Sequence, residues 1–266
     1  MPELVAISRP PLGEPAHETA TYLFTVLMAV FFVGLAVWSG VVARRERSWL
    51  PLACLVGGLV SFAYEPLLDS VAHIFYPVGS PLIAGTIYGS SIPWFVVMAY
   101  VFWVGAGTFL LARYFDRRPT GRAVLQAYLL ACCVEPLFEY PAVLSKALLY
   151  YGDQPFKLFD YPLYWPFGNS GSVFVAGYVL HLARPYLKGL RGFVVAALVP
   201  ALGFFAVNGA GSWPVWLAIN SDTPMAVIWL AGAAAIALHV SFVRLVALGA
   251  DRRLSLDRLA HDVAVR

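Results

Sequence analysis

Hydrophobic and polar positions alternate along the 266 residues on the scale of a lipid bilayer. Seven apolar runs stand out, near Tyr22–Val42, Leu50–His73, Ile92–Tyr114, Arg122–Ala142, Ser170–Leu187, Gly192–Leu217 and Pro224–Leu248. Each approaches the roughly 20 residues that a helix needs to cross hydrocarbon. Short polar stretches separate the runs. The pattern predicts an all-α fold, a polytopic bundle of seven transmembrane helices forming a single domain over residues 1–250, followed by a cytoplasmic tail, 251–266. The tail mixes charged residues with Leu and Val, which fits a surface helix or an unstructured end, and no function is attached to it.

The basic residues set an orientation. Arg44, Arg45 and Arg47 follow the first run, Arg113, Arg117, Arg118 and Arg122 the third, and Arg184, Lys188 and Arg191 the fifth. Arg244, Arg252, Arg253, Arg258 and Arg266 come at the C-terminus, so 15 of the 18 basic residues fall on one side. Cytoplasmic loops carry the excess of Lys and Arg, so the C-terminus is expected inside and the N-terminus outside. The inner membrane of a bacterial cell is the expected location.

Composition sharpens this reading. The chain is 60% hydrophobic and 12% charged, with a mean hydropathy of +0.73; a soluble domain carries about 25% charged residues. Cys54, Cys132 and Cys133 all lie in apolar runs, which argues against a disulfide framework. The first segment carries Glu3, Glu14 and Glu18 instead of a basic leader, so no cleavable signal is expected. The expected partners are a lipophilic small molecule and membrane lipid, with no nucleic acid, and a homo-oligomer is left open.

Candidate chemistry enters with the few acids inside the apolar runs. Glu65-Pro66-Leu67-Leu68-Asp69 and Glu135-Pro136-Leu137-Phe138-Glu139 each put two carboxyls one helical turn apart, on one helix face. In each, a proline directly after the first acid breaks the helix and frees a carbonyl one turn back. Ionisable groups in hydrocarbon are costly and by default mark a functional site. Glu65 and Glu135 lie roughly 20 Å along helices of the same direction, in the outer half of the bilayer, so the motifs are expected to share a cavity and the second and fourth spans to be neighbours. Both motifs lead to an outer loop, one with Tyr88-Gly89-Ser90 and one with Phe167-Gly168-Asn169-Ser170, and then to another span, which suggests a parallel internal repeat. The loop from Tyr151 to Phe167 is crowded with aromatics, prolines and acids, and could fold back as a lid or serve as an interfacial belt. Catalytic candidates are Glu135, Glu139, Glu65 and Asp69; candidates for binding a ligand are Tyr64, Asp160, Trp165, Asn169, Asn208, Trp213 and Trp216.

Several chemistries suit buried acids. Glu65, Asp69 and His73 follow each other at helical spacing, but no Glu-x-x-His pair occurs, and His181 and His239 are placed nearer the cytoplasmic side, so no metal or other cofactor is expected. A transporter or lipid-binding protein would use the acids to hold a ligand or proton, and a structural role would have them hydrogen-bonded between helices. An enzyme would exploit the fact that close carboxyls in a low dielectric cannot all ionise, so that one donates a proton while another accepts.

The stretches FAYEPLLDSVAHIFYP (62–77), EPLFEYP (135–141), YYGDQPFKLFDYPLYWPFGNSG (150–171) and GSWPVWLAINS (211–221) resemble the membrane-bound spirocyclase AveC-like family. That resemblance implies a small polytopic protein acting on lipophilic natural products by dehydration and ring closure. The logic is also similar to that of membrane terpene cyclases, seven-helix proteins that protonate an alkene or epoxide with buried acids. The expected activity is therefore a cofactor-independent cyclase or dehydratase, of isomerase or lyase type, acting on a polyketide or terpenoid.

Overall fold

The computed structural model describes residues 9–264, with side chains described as far as Ser255. Glu3 and Arg266 lie outside the described residues, and of Arg258 only the backbone is described. Helices α1 (Glu18–Glu46), α2 (Leu50–Ala72), α3 (Trp94–Asp116), α4 (Gly121–Leu144), α6 (Gly189–Ile219) and α7 (Met225–Ala264) are each long and apolar enough to cross a membrane. They mark an integral membrane protein. The expected fifth span is α5 (Trp165–Ala183), 19 residues, which does not reach that apolar composition. Its setting explains the difference. It packs against α3, α4, α6 and α7, and nearly every residue from Trp165 to Phe174 is buried, so Asn169, Ser170 and Ser172 face protein rather than lipid. The tail is the continuation of α7, which runs helical to Ala264.

The irregularities in the long helices have local causes. In α2, a 3₁₀ turn at Phe62–Tyr64 interrupts the helix one turn before Pro66, whose ring and missing N–H disrupt the ladder there. Pro136 breaks α4 at Glu135 in the same manner. A π-helical turn at Val101–Ala106 widens α3 just beyond Tyr100. Adjacent glycines let α2 approach two neighbours closely: a Cβ at Gly57 would lie 2.2 Å from the Ala197 carbonyl of α6, and one at Gly58 2.7 Å from the Tyr100 carbonyl of α3.

At the end of the bundle opposite the arginine-rich turns, the loops carry six short strands. These are β1 (Ile74–Phe75), β2 (Ile83–Ile87), β3 (Ser90–Pro93), β4 (Leu149–Tyr150), β5 (Lys157–Leu158) and β6 (Tyr161–Pro162). β2 and β3 form a hairpin whose Tyr88-Gly89 turn has positive φ at both residues, 51° and 79°. β5 pairs with β6, and β1 pairs antiparallel with β4, Ile74 opposite Tyr150.

Two equivalent units emerge: α2, β1, the β2–β3 hairpin and α3; then α4, β4, the β5–β6 hairpin and α5. Each begins with a Glu-Pro helix break, turns through a left-handed residue, His73 at φ 57° or Lys146 at φ 58°, and re-enters the bundle at a tryptophan, Trp94 or Trp165. The equivalent strands of the two units, β1 and β4, pair with each other antiparallel. The two units do not pack α2 on α4 along their length. α2 lies against α1, α3 and α6, whereas α4 lies against α5 and α7, so the expected neighbours face each other across a space.

Candidate carboxyl cavity

That space is a cavity of about 160 Å³. Glu65 from α2 and Glu135 and Glu139 from α4 line it together with Tyr100, Trp103 and Asn169, and its other walls are almost wholly apolar, including Phe95, Phe138 and Phe204. Among the described residues, no Lys, Arg or His lines it. Glu65 and Glu135 are 4% and 3% exposed; Glu139 is half-buried.

Each carboxyl is held by hydroxyl or amide donors. Glu65 accepts from the Tyr76 hydroxyl at 2.5 Å and from that of Tyr100. Glu135 accepts from the Tyr161 hydroxyl and from Asn169 Nδ2, both at 2.5 Å. Glu139 accepts from the Tyr150 hydroxyl at 2.6 Å and from Asn169 Nδ2 at 3.4 Å. Burial, followed by the nearby carboxyls, pushes the hydroxyls of Tyr76, Tyr150 and Tyr161 well above the ordinary tyrosine value, so they stay protonated and act as donors. The halves are built alike: a loop tyrosine and a polar residue in the first two turns of the following helix hold the acid that precedes the proline.

The loop between α4 and α5 supplies two of these donors, Tyr150 and Tyr161, by folding inward. Tyr161 and Tyr164 are fully buried and Tyr150 nearly so. Gln154 Nε2 donates to the Ala72 carbonyl at the end of α2 at 2.9 Å, and the Tyr151 ring stacks on His73 at 4.7 Å. His73 Nε2 also lies 3.2 Å from Asn220 Oδ1, so this imidazole ties the loop and α2 to the end of α6. Among the described residues no group of three or more His, Cys, Asp or Glu is arranged to hold a metal ion.

The structure sorts the residues singled out from sequence. Glu65, Glu135, Glu139, Trp165 and Asn169 meet at the cavity. Asn169 does so from the second turn of α5, because Phe167–Ser170 is helix rather than loop. Asp69 does not line the cavity; it stands behind Glu65, accepting from Ser90 Oγ at 2.5 Å, with its other oxygen buried and without a hydrogen-bond partner. Tyr64 stacks on Phe205 at 4.5 Å and does not line the cavity. Asp160 is on the exposed β5–β6 turn, 3.6 Å from Lys157 Nζ. Trp213 faces outward at 55% exposed, and Trp216 packs behind Trp165 at 6.3 Å. Asn208 is fully buried between helices, where a Cβ at Gly168 would come 2.5 Å from its Oδ1. His239, expected to lie away from the acids, touches the same glycine and sits 3.0 Å from Ser212 Oγ. Its neighbourhood is one residue from Asn169, because the inward loop starts α5 deep in the bundle.

Sequence reasoning missed the tyrosines. The available signal was the Tyr-Pro dipeptide at Tyr76-Pro77 and Tyr161-Pro162, where proline holds an extended turn that aims the ring inward. It is a weak signal, since the third such pair, Tyr140-Pro141, gives its hydroxyl to the Leu158 carbonyl instead.

No protein-family model matches the chain, and neither a curated protein nor a solved structure does.

Proposed function

We propose that the protein is a seven-span bacterial inner-membrane enzyme, N-terminus outside and C-terminus cytoplasmic, that cyclises or dehydrates a neutral lipophilic polyketide or terpenoid by carboxylic acid catalysis without a cofactor. The observation that carries this reading is the convergence of Glu65, Glu135 and Glu139 on one apolar, aromatic cavity that no basic side chain lines among the described residues. A phosphorylated or carboxylate substrate would meet three acids and no counter-charge there, so the reacting group is neutral or becomes cationic.

Glu135 and Glu139 share the Asn169 amide, and neighbouring carboxyls in such a site retain a proton between them. In this reading the protonated member gives its proton to a hydroxyl, ketone or epoxide oxygen, an internal nucleophile closes on the resulting cation, and a carboxylate takes the proton that the nucleophile releases. The net change is an isomerisation, or loss of one water where a hydroxyl leaves. Aromatic faces on the wall stabilise developing positive charge, and the apolar lining limits capture by water. A void near 150 Å³ accommodates a benzene-sized group, so the cavity suits the reacting segment of a longer molecule. The resemblance to AveC-like spirocyclases agrees with this chemistry.

A second reading has its own support: carboxyls and aromatic rings without a base also suit an organic cation that is bound or carried unchanged. Comparison of lipid extracts from cells with the wild type and with Glu135→Gln separates the two. The enzyme reading expects a compound in the wild-type extract that is isomeric with, or one water lighter than, a precursor accumulating with the variant. Identical compounds in both extracts would refute it.

A further inference from the structure

A second pocket, about 300 Å³, lies at the opposite end of the bundle, where α3, α5 and α7 meet. Its walls combine Arg118, Arg253, His181 and Asp116 with the rings of Phe115 and Tyr178. Asp116 is already engaged on both oxygens, by His181 Nδ1 at 2.7 Å and by Arg184. His181 Nε2 in turn lies 2.6 Å from Arg253 Nη1, so the neutral ring accepts from the guanidinium and donates to the carboxylate. That contact uses one of five guanidinium N–H groups and holds the side chain at the rim.

The pocket is built rather than incidental. Arg253 lies on the part of α7 beyond the apolar run, and Asp251 Oδ1 fixes that part by accepting from the Gly121 N–H, at the start of α4, at 2.7 Å. A Cβ at Gly121 would come 2.7 Å from the backbone carbonyl of Ala247 on α7, so the close junction requires glycine there. The Asp116 carboxylate is paired, and the exposed guanidiniums of Arg118 and Arg253 line the pocket beside the rings of Phe115 and Tyr178. Guanidinium forks suit phosphate oxygens, and an apolar wall suits the glycerol and upper chain of a lipid.

We infer that this pocket binds a phosphate group, held by Arg118 and Arg253, from an anionic phospholipid or from free phosphate. The site is independent of the carboxyl cavity and stands whatever reaction occurs there.

Native mass spectrometry of the full-length protein in detergent, titrated with phosphatidylglycerol or phosphatidylcholine, tests the inference, and inorganic phosphate is added as competitor. Phosphatidylglycerol should be retained in preference to phosphatidylcholine. Arg253→Gln, and separately Arg118→Gln, should weaken it roughly tenfold, the scale of one charge-assisted hydrogen bond. Arg252→Gln, outside the pocket, should leave retention unchanged and serves as the control. Displacement by millimolar phosphate identifies the bare anion as sufficient, and persistence of the lipid identifies the headgroup with its chains as the ligand. Equal retention of the two lipids with no effect of phosphate would overturn the inference, as would wild-type retention in both the Arg253 and Arg118 variants.

Discussion

Asn169 Nδ2 lies 2.5 Å from Glu135 Oε1 and reaches Glu139 Oε1 at 3.4 Å, so one amide from α5 holds both carboxyls of the α4 motif. Its carbonyl oxygen is buried without a partner, so the side-chain hydrogen bonds that Asn169 makes are those to the acids. Asn169→Leu keeps the approximate volume but removes the shared donor. Loss of a hydrogen bond to a buried charged group costs about 1–3 kcal/mol, so the variant should unfold at a lower temperature than the wild type in the same detergent. An unchanged transition would mean that the carboxyls do not depend on this amide.

The Glu65 half allows a graded test. Tyr76→Phe and Tyr100→Phe each remove one hydroxyl and leave the other on the same carboxyl. Each should cost about 1–2 kcal/mol. The double variant should cost more than the sum if the last donor is what makes the buried charge tolerable. Denaturation of the four proteins in one detergent measures this, and strict additivity would argue that the two donors act independently.

Close packing beside the cavity gives a prediction free of any functional assumption. A Cβ at Gly58 would meet the Tyr100 carbonyl and Val101 Cα at 2.7 Å, and one at Gly105 the Cys54 carbonyl at 2.6 Å, whereas Gly34 has nothing within 4 Å. Overpacking costs about 1–3 kcal/mol. Gly58→Ala and Gly105→Ala should therefore lower thermal stability clearly, while Gly34→Ala should preserve or raise it through the better helix propensity of alanine.

The proposed topology places Ser221, between α6 and α7, outside and Ser255, on the extended α7, inside. Single-cysteine variants at the two exposed positions should react with a membrane-impermeant thiol reagent from opposite faces of oriented vesicles. Labelling of both from one face would contradict the proposed orientation.

Much of the fold was legible because bilayer-length apolar runs are a strong signal, and six of them are the six apolar helices. The extent of α5 was less so. Its first turns carry Gly168, Asn169 and Ser170, which read as loop, yet burial among four helices satisfies what hydrocarbon would reject. In the site, the acids were visible because charge in an apolar run is rare, and Pro66 and Pro136 marked where their helices break. The tyrosines were not visible: Tyr76 and Tyr161 sit in loops where aromatics ordinarily serve as interfacial anchors, and only their burial in the fold distinguishes them. The same fold moves Asp160 out to the hairpin tip and brings His239 near Asn169, two placements that spacing along a helix could not supply.

The most direct test of the carboxyl-catalysis account is turnover by purified Glu135→Gln and Glu139→Gln proteins, using the precursor identified from the lipid extracts. Each change preserves size and hydrogen bonding but removes the proton that the mechanism transfers. Loss of a general acid or base lowers the rate by about 10²-fold or more, and the account predicts that drop in at least one variant while substrate binding is retained. Near-wild-type turnover by both, in folded protein that binds the precursor, would contradict it.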